Sequence, residues 1–139
     1  MILKSFELSK IKLKNSKFYL FYGDNEGLKE ETVKNLFEKN YQDKIHRYEE
    51  KEILDNISNF FNIVLTKSFF DNEKLIIINR TTDKIRGIVE ELVEKNPDDI
   101  NIILNSKNLE KKSSLRKLFE KEKSIICVPF YEDNNQTLN

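Results

Sequence analysis

Leu65-Thr66-Lys67-Ser68-Phe69-Phe70-Asp71-Asn72-Glu73-Lys74-Leu75-Ile76-Ile77-Ile78-Asn79-Arg80 is the stretch whose reading decides the fold. Leu75 to Ile78 are branched apolar residues in unbroken succession. A run that short, with no polar alternation, is the pattern of a strand buried on both faces. Ahead of it, Phe69 and Phe70 stand side by side in a polar connection. Neighbouring side chains in extended backbone point opposite ways, so two large rings in a row do not easily share one core. At least one is expected at the surface, where an aromatic in a fixed loop is a candidate for partner binding. The alternative, both rings in the core, stays open on the sequence.

Upstream, Ile53, Ile57, Phe60, Phe61, Val64 and Leu65 fall at helical spacing and predict one helix with a wide apolar face. Earlier still, Phe18 to Tyr22 is a continuous aromatic and aliphatic run closed by Gly23, a first buried strand with a turn at its end. A helix is expected from about Glu26 to Lys39, with Val33, Leu36 and Phe37 as its stripe and Asp24 or Asn25 as its cap. Lys44 to Glu49 holds only Ile45 and Tyr48 as large apolar residues, which places a weaker strand at a sheet edge. Residues 1–16 scatter their apolar side chains and predict a short helix or strand packed on the edge.

Downstream, Asp83 is placed to cap a helix bearing Ile85, Ile88, Val89 and Leu92, which Asn96-Pro97-Asp98 ends. Ile100 to Leu104 is a further strand, Lys111 to Glu122 a short basic helix around Leu115, Leu118 and Phe119, and Ile125 to Val128 a last strand. Five alternations of apolar strand and amphipathic helix predict an α/β fold. Its centre is a mainly parallel, five-stranded sheet in three layers, with helices on both faces. The chain, residues 1–139, reads as a single domain with a polar, frayed tail after Tyr131.

Composition narrows the function. Lysine plus arginine equals aspartate plus glutamate at 24 each, which argues against a free-standing nucleic-acid-binding domain, where a basic excess is usual. One cysteine and one histidine leave too few soft ligands for a closed zinc site, and no metal is expected. Cys127, within Ile125-Ile126-Cys127-Val128, reads as a buried strand thiol. No apolar segment reaches membrane length and Met1-Ile2-Leu3-Lys4 is no signal peptide, so a cytoplasmic protein is expected.

The turn after the first strand is where a parallel α/β fold binds phosphate. Here it reads Gly23-Asp24-Asn25-Glu26-Gly27-Leu28-Lys29-Glu30. A phosphate loop needs G-x-x-x-x-G-K-[ST], so that amides wrap the phosphates, the lysine meets the outer ones and a hydroxyl holds Mg²⁺. The glycines are one residue too close, no Lys-Ser/Thr pair follows the second, and Asp24 and Glu26 repel a triphosphate. The metal-holding acid expected after the Leu75 to Ile78 strand is replaced by Asn79-Arg80. Gly23, Asp24, Asn25, Glu26 and Gly27 therefore read as a vestigial, non-functional phosphate turn, with no cofactor expected. A phospho-signalling domain would need an acceptor Asp where Asn79 and Arg80 stand. That domain, or a nucleotide-dependent α/β domain, is the alternative reading. His46, beside Arg47 in the edge strand, has no catalytic partner at a telling spacing. Lys111, Lys112, Arg116, Lys117, Lys121 and Lys123 are interrupted by Glu110, Glu120 and Glu122, a solvated face with at most a weak phosphate contact inside an assembly. No catalytic residue emerges.

Taken together in order and spacing, Phe18-Tyr19-Leu20-Phe21-Tyr22-Gly23-Asp24-Asn25-Glu26, Ser68-Phe69-Phe70 before Lys74-Leu75-Ile76-Ile77-Ile78, Asp99 to Leu104 and Lys107-Asn108-Leu109-Glu110-Lys111 resemble the N-terminal domain of the delta subunit of bacterial DNA polymerase III. The resemblance implies a degenerate AAA+-like domain without a working nucleotide site, and no intrinsic catalysis. It implies a clamp-loader role in DNA replication: binding and opening the sliding clamp (beta), alongside the gamma/tau and delta prime subunits. DNA contact would be weak or made only through the assembled complex. Family members continue into lid and collar domains that are missing here, so the chain looks like an excised first domain. The family's clamp-binding element falls on Ser68, Phe69 and Phe70, with Asp71 helping to position the turn; Phe69 stands where many relatives have Leu.

Overall fold

The computed structural model describes residues 1–4, 7–8, 17–41, 44–66, 74–97 and 100–131. Five strands, β1 (Phe18–Tyr22), β2 (Ile45–Glu49), β3 (Lys74–Asn79), β4 (Ile100–Asn105) and β5 (Ile126–Pro129), form one sheet in the order β2-β3-β4-β1-β5. Every pairing is parallel, with Ile76 opposite Ile102 and Leu20 opposite Cys127 in register. β2 is an edge strand, as its sparse apolar content predicts.

The continuous apolar runs exist because both sheet faces are covered. On one face Leu20, Tyr22, Ile76, Ile78, Ile102 and Leu104 pack with residues of α3 (Glu50–Asp55), α4 (Ile57–Leu65), α5 (Arg86–Lys95) and α6 (Ser114–Lys121). On the other, Tyr19, Phe21, Ile77, Ile103 and Val128 meet Phe37, Leu8 and Phe130. That second face carries α1 (Glu26–Val33), a π-helical segment (Lys34–Glu38) and α2 (Lys39–Tyr41). Tyr19 and Phe37 meet edge to face at 5.0 Å between ring centres. Each large side chain taken out of water this way contributes roughly 1.5–3 kcal/mol. At the sheet's other edge Ile2 pairs in parallel with Cys127, the edge packing expected of the first residues.

The structure corrects three helix readings. The helix expected from Glu26 to Lys39 changes to a wider π turn at Lys34. The helix read through Ile53 and Leu65 is two, because Asn56 (φ −151°, ψ 72°) breaks it and then restarts it, its side chain accepting from the Asn59 amide at 3.2 Å. Leu65, read as part of the apolar face, is 37% exposed.

Asp83 is the third. Thr82 starts the turn that leads into α5, accepting from the Lys84 amide, while Asp83 reaches across to a different helix. Its carboxylate accepts from Ser113 Oγ at 2.6 Å and from the Leu115 amide at 3.1 Å, capping the first turn of α6. The Ser113 hydrogen bond, foremost, holds this carboxyl below its ordinary value of 3.8. A depressed carboxylate contributes stability above its unfolded pKa and loses it as pH falls through the folded one. Asp83→Ala is therefore expected to cost about 1 kcal/mol in urea unfolding at neutral pH, the usual worth of a cap. Parent and variant should converge as the pH drops below 3.8.

Candidate functional site

All strands run one way, so their carboxyl ends share one edge of the sheet. At that edge β1 turns at Gly23, where φ is +122° and an added Cβ would lie 2.0 Å from the Phe130 carbonyl oxygen. Only glycine fits there. In the turn that follows, the Gly23 amide donates to the Lys107 carbonyl (3.2 Å), Asn25 to Phe130 (3.1 Å) and Glu26 to Asp24 (3.0 Å). The Leu28 amide donates to Asn25 Oδ1 at 3.1 Å and the Lys29 amide to the Asn25 carbonyl at 3.1 Å. A phosphate-binding turn aims such amides at its ligand. Here they are taken by the chain's own oxygens, while the Asp24 and Glu26 side chains stand exposed.

Lys29 completes the closure. It is 1% exposed, and its ammonium donates to Glu26 Oε1 at 2.8 Å and to the Ser106 carbonyl at 2.9 Å. Sequence reasoning passed over it, although Lys29, Val33 and Leu36 share the core-facing stripe at helical spacing. It also missed the polar layer beneath. Thr81 and Ser106 hydroxyls bond each other, and buried Glu50 accepts from the Thr82 amide and, at 2.7 Å, from its hydroxyl. Asn79 is bonded by Asn105 Nδ2 at 3.3 Å, and Arg80, in a left-handed conformation (φ 54°), pairs with Glu49.

At the opposite edge α4 ends at Leu65 and Thr66 closes it, its amide donating to the Asn62 carbonyl at 3.1 Å. β3 begins at Lys74. Ser68, Phe69, Phe70 and Asp71 fall in the connection between them and lie outside the described residues. Its two anchoring ends flank the amino edge of the sheet, and the last turn of α4 leaves Ile63 39% and Leu65 37% exposed.

His46 is exposed on the edge strand. Cys127 is fully buried, and burial pushes its thiol up to about 12, far from thiolate chemistry at neutral pH. Arg116 of the basic helix turns inward, bonding Glu120 Oε2 at 3.0 Å and the Leu109 carbonyl at 2.8 Å, with its guanidinium over the Tyr22 ring. Among the described residues no group of three or more His, Cys, Asp or Glu side chains could hold a metal, and no helix is long and apolar enough to cross a membrane.

The family model of the DNA polymerase III delta subunit matches residues 19–128, from β1 to β5. The chain belongs to the DNA polymerase III delta-subunit family. Among solved structures this delta-family domain is similar to the Bacillus subtilis DNA clamp loader delta protein (YqeN), with a TM-score of 0.65 and 15% sequence identity. The likeness covers 96% of this chain and 42% of that one, so the chain spans well under half the length of the protein it resembles. Identity that low shows a shared fold. No curated protein sequence matches the chain. The five-stranded parallel sheet expected of the family is the one found.

Proposed function

We propose that this delta-family domain acts in DNA replication as the part of a clamp loader that grips the sliding clamp. Membership of the delta-subunit family over residues 19–128 carries the reading. The B. subtilis protein of the same fold is by name a clamp loader delta protein. Clamp contact is assigned to Ser68, Phe69, Phe70 and Asp71 at the amino edge, and the other loader subunits, gamma/tau and delta prime, are its further partners. The domain contributes binding energy and no catalysis. A ligand favours whichever state of its target it binds better, so gripping a clamp conformation with a strained ring interface is enough to promote opening. Nucleotide has no part in that step within this domain, a reading supported by the bonded amides of Gly23, Asn25 and Glu26 and the buried ammonium of Lys29.

Size-exclusion chromatography of the chain mixed with the sliding clamp of the same organism tests this. Co-elution without nucleotide is expected, and separate peaks at tens of micromolar of each would refute it. A parallel calorimetric titration with Mg-ATP decides against the nucleotide-dependent alternative. No micromolar-range binding is expected, and a micromolar dissociation constant would revive that alternative.

A further inference from the structure

α6 ends at Lys121, and the last carbonyls of a helix have no partner within it. Here the α-amine of Met1 meets two of them. It donates to the Phe119 carbonyl at 2.6 Å, to the Glu122 carbonyl at 2.8 Å and, just ahead of β5, to the Ile125 carbonyl at 2.8 Å. An ammonium has three donors, and this cup supplies three acceptors. The cup also stands at the carbonyl end of α6, where the helix dipole favours positive charge. Burial lowers the amine's pKa below its ordinary 8.0, with Glu120 and Glu122 opposing it. The neutral amine still brings two donors to the same three carbonyls.

The residues that follow are laid along the outer edge of β5. The Cys127 amide donates to the Met1 carbonyl at 2.8 Å, and the Leu3 amide donates to the Cys127 carbonyl at 2.9 Å, so that Ile2 pairs with Cys127. Leu3 packs against the core of the second sheet face, while Ile2 points outward and is 54% exposed. A pairing that short is marginal by itself. Without it the N–H and C=O row of β5 would stand open as a free sheet edge. The amine is what anchors it, tying Met1 to the end of α6 and to the chain entering β5.

We propose that the carbonyl cup at the end of α6 is a binding site for a primary amine, filled by Met1, and that it does not accept an acylated nitrogen. A formyl or acetyl group leaves that nitrogen one N–H and no charge, so two of the three carbonyls lose their donor. The short pairing then loses its anchor and β5 its cover. Order along the β5 edge is thereby coupled to the covalent state of one amine. The reading is independent of clamp binding, which is assigned to the connection between α4 and β3.

Acetylation of the whole chain with a limiting amine-reactive reagent near neutral pH, read by mass spectrometry, tests the site without a variant. Met1 is expected to react at least about tenfold more slowly in the folded chain than in the chain unfolded in urea, the factor for a site that must open before it reacts. Exposed Lys117 and Lys121 should react at similar rates in both. A second comparison sets the parent against the chain with Gly-Ser added ahead of Met1, which turns the amine into a peptide amide with one N–H. The extended chain is expected to melt about 6 °C lower, the effect of two lost hydrogen bonds, and to exchange its Cys127 amide hydrogen faster. The proposal is overturned if Met1 is acetylated as fast in the folded chain as in urea, or if the extended chain melts with the parent or keeps the parent's protection at Cys127.

Discussion

The double variant Phe69→Ala, Phe70→Ala is expected to bind the sliding clamp about 100-fold more weakly, or worse, while its thermal transition stays nearly where the parent's is. Burying one phenyl ring in a pocket is worth roughly 1.5–3 kcal/mol, and adjacent rings form the kind of anchor that dominates an interface. Losing about 3 kcal/mol corresponds to the stated factor. On either side of the connection Phe60, Val64, Ile76 and Ile78 pack with residues of α5 and α6 on one face of the sheet. Unfolding of the variant would make the rings core and the clamp assignment wrong. A folded variant that binds as the parent does would remove Phe69 and Phe70 from the interface.

Gly23→Ala should be the most damaging single methyl in the chain. The position combines a φ of +122° with a carbonyl oxygen 2.0 Å from where the Cβ would sit, and that oxygen belongs to backbone. Phe130 has little freedom to retreat, since its amide donates to the Tyr22 carbonyl at 2.7 Å and its carbonyl accepts from Asn25. Strain and overpacking together are expected to cost about 4 kcal/mol. For a domain of this size that lowers the melting temperature by about 10–15 °C. Gly87→Ala is the control: it lies in α5 with nothing within 4 Å of its added Cβ, so the same methyl should stabilise by about 0.5 kcal/mol. A Gly23→Ala protein as stable as the parent would mean that the turn does not pack against Phe130 as described.

The sheet was legible because its strands are written as uninterrupted apolar runs. Phe18 to Tyr22 and Leu75 to Ile78 have no other stable reading at that length, and all these residues are buried in the structure. The weakness of β2 likewise announced an edge. Helix boundaries were less legible, since Asn56 carries no periodicity signal and breaks a helix whose apolar spacing runs straight through it. Asp83 illustrates a different limit. Its sequence context favours a local cap, but a carboxylate satisfies whichever orphan amides the tertiary fold brings near, and those belong to α6. The departure of the Gly23 to Gly27 turn from the phosphate-loop pattern was legible in its spacing, whereas the bonds of its amides to Lys107 and Phe130 depend on residues about 80 to 110 positions away. Lys29 escaped notice because a charged residue on a core stripe looks like an interruption until Ser106 and Glu26 are seen around its ammonium. The aromatic connection was legible as a candidate from residue types, and its position between α4 and β3 follows from the two elements that bracket it.

The central claim, that the clamp is gripped from the amino edge of the sheet, is tested most directly by following backbone amides of the ¹⁵N-labelled chain as unlabelled sliding clamp is added. The account predicts loss or displacement of signals at Ile63, Leu65, Thr66, Lys74 and the residues between them, with Gly23, Asn25 and Lys107 unmoved at the far edge. Perturbation centred on the Gly23 to Gly27 turn, or none anywhere at saturating clamp, would contradict it.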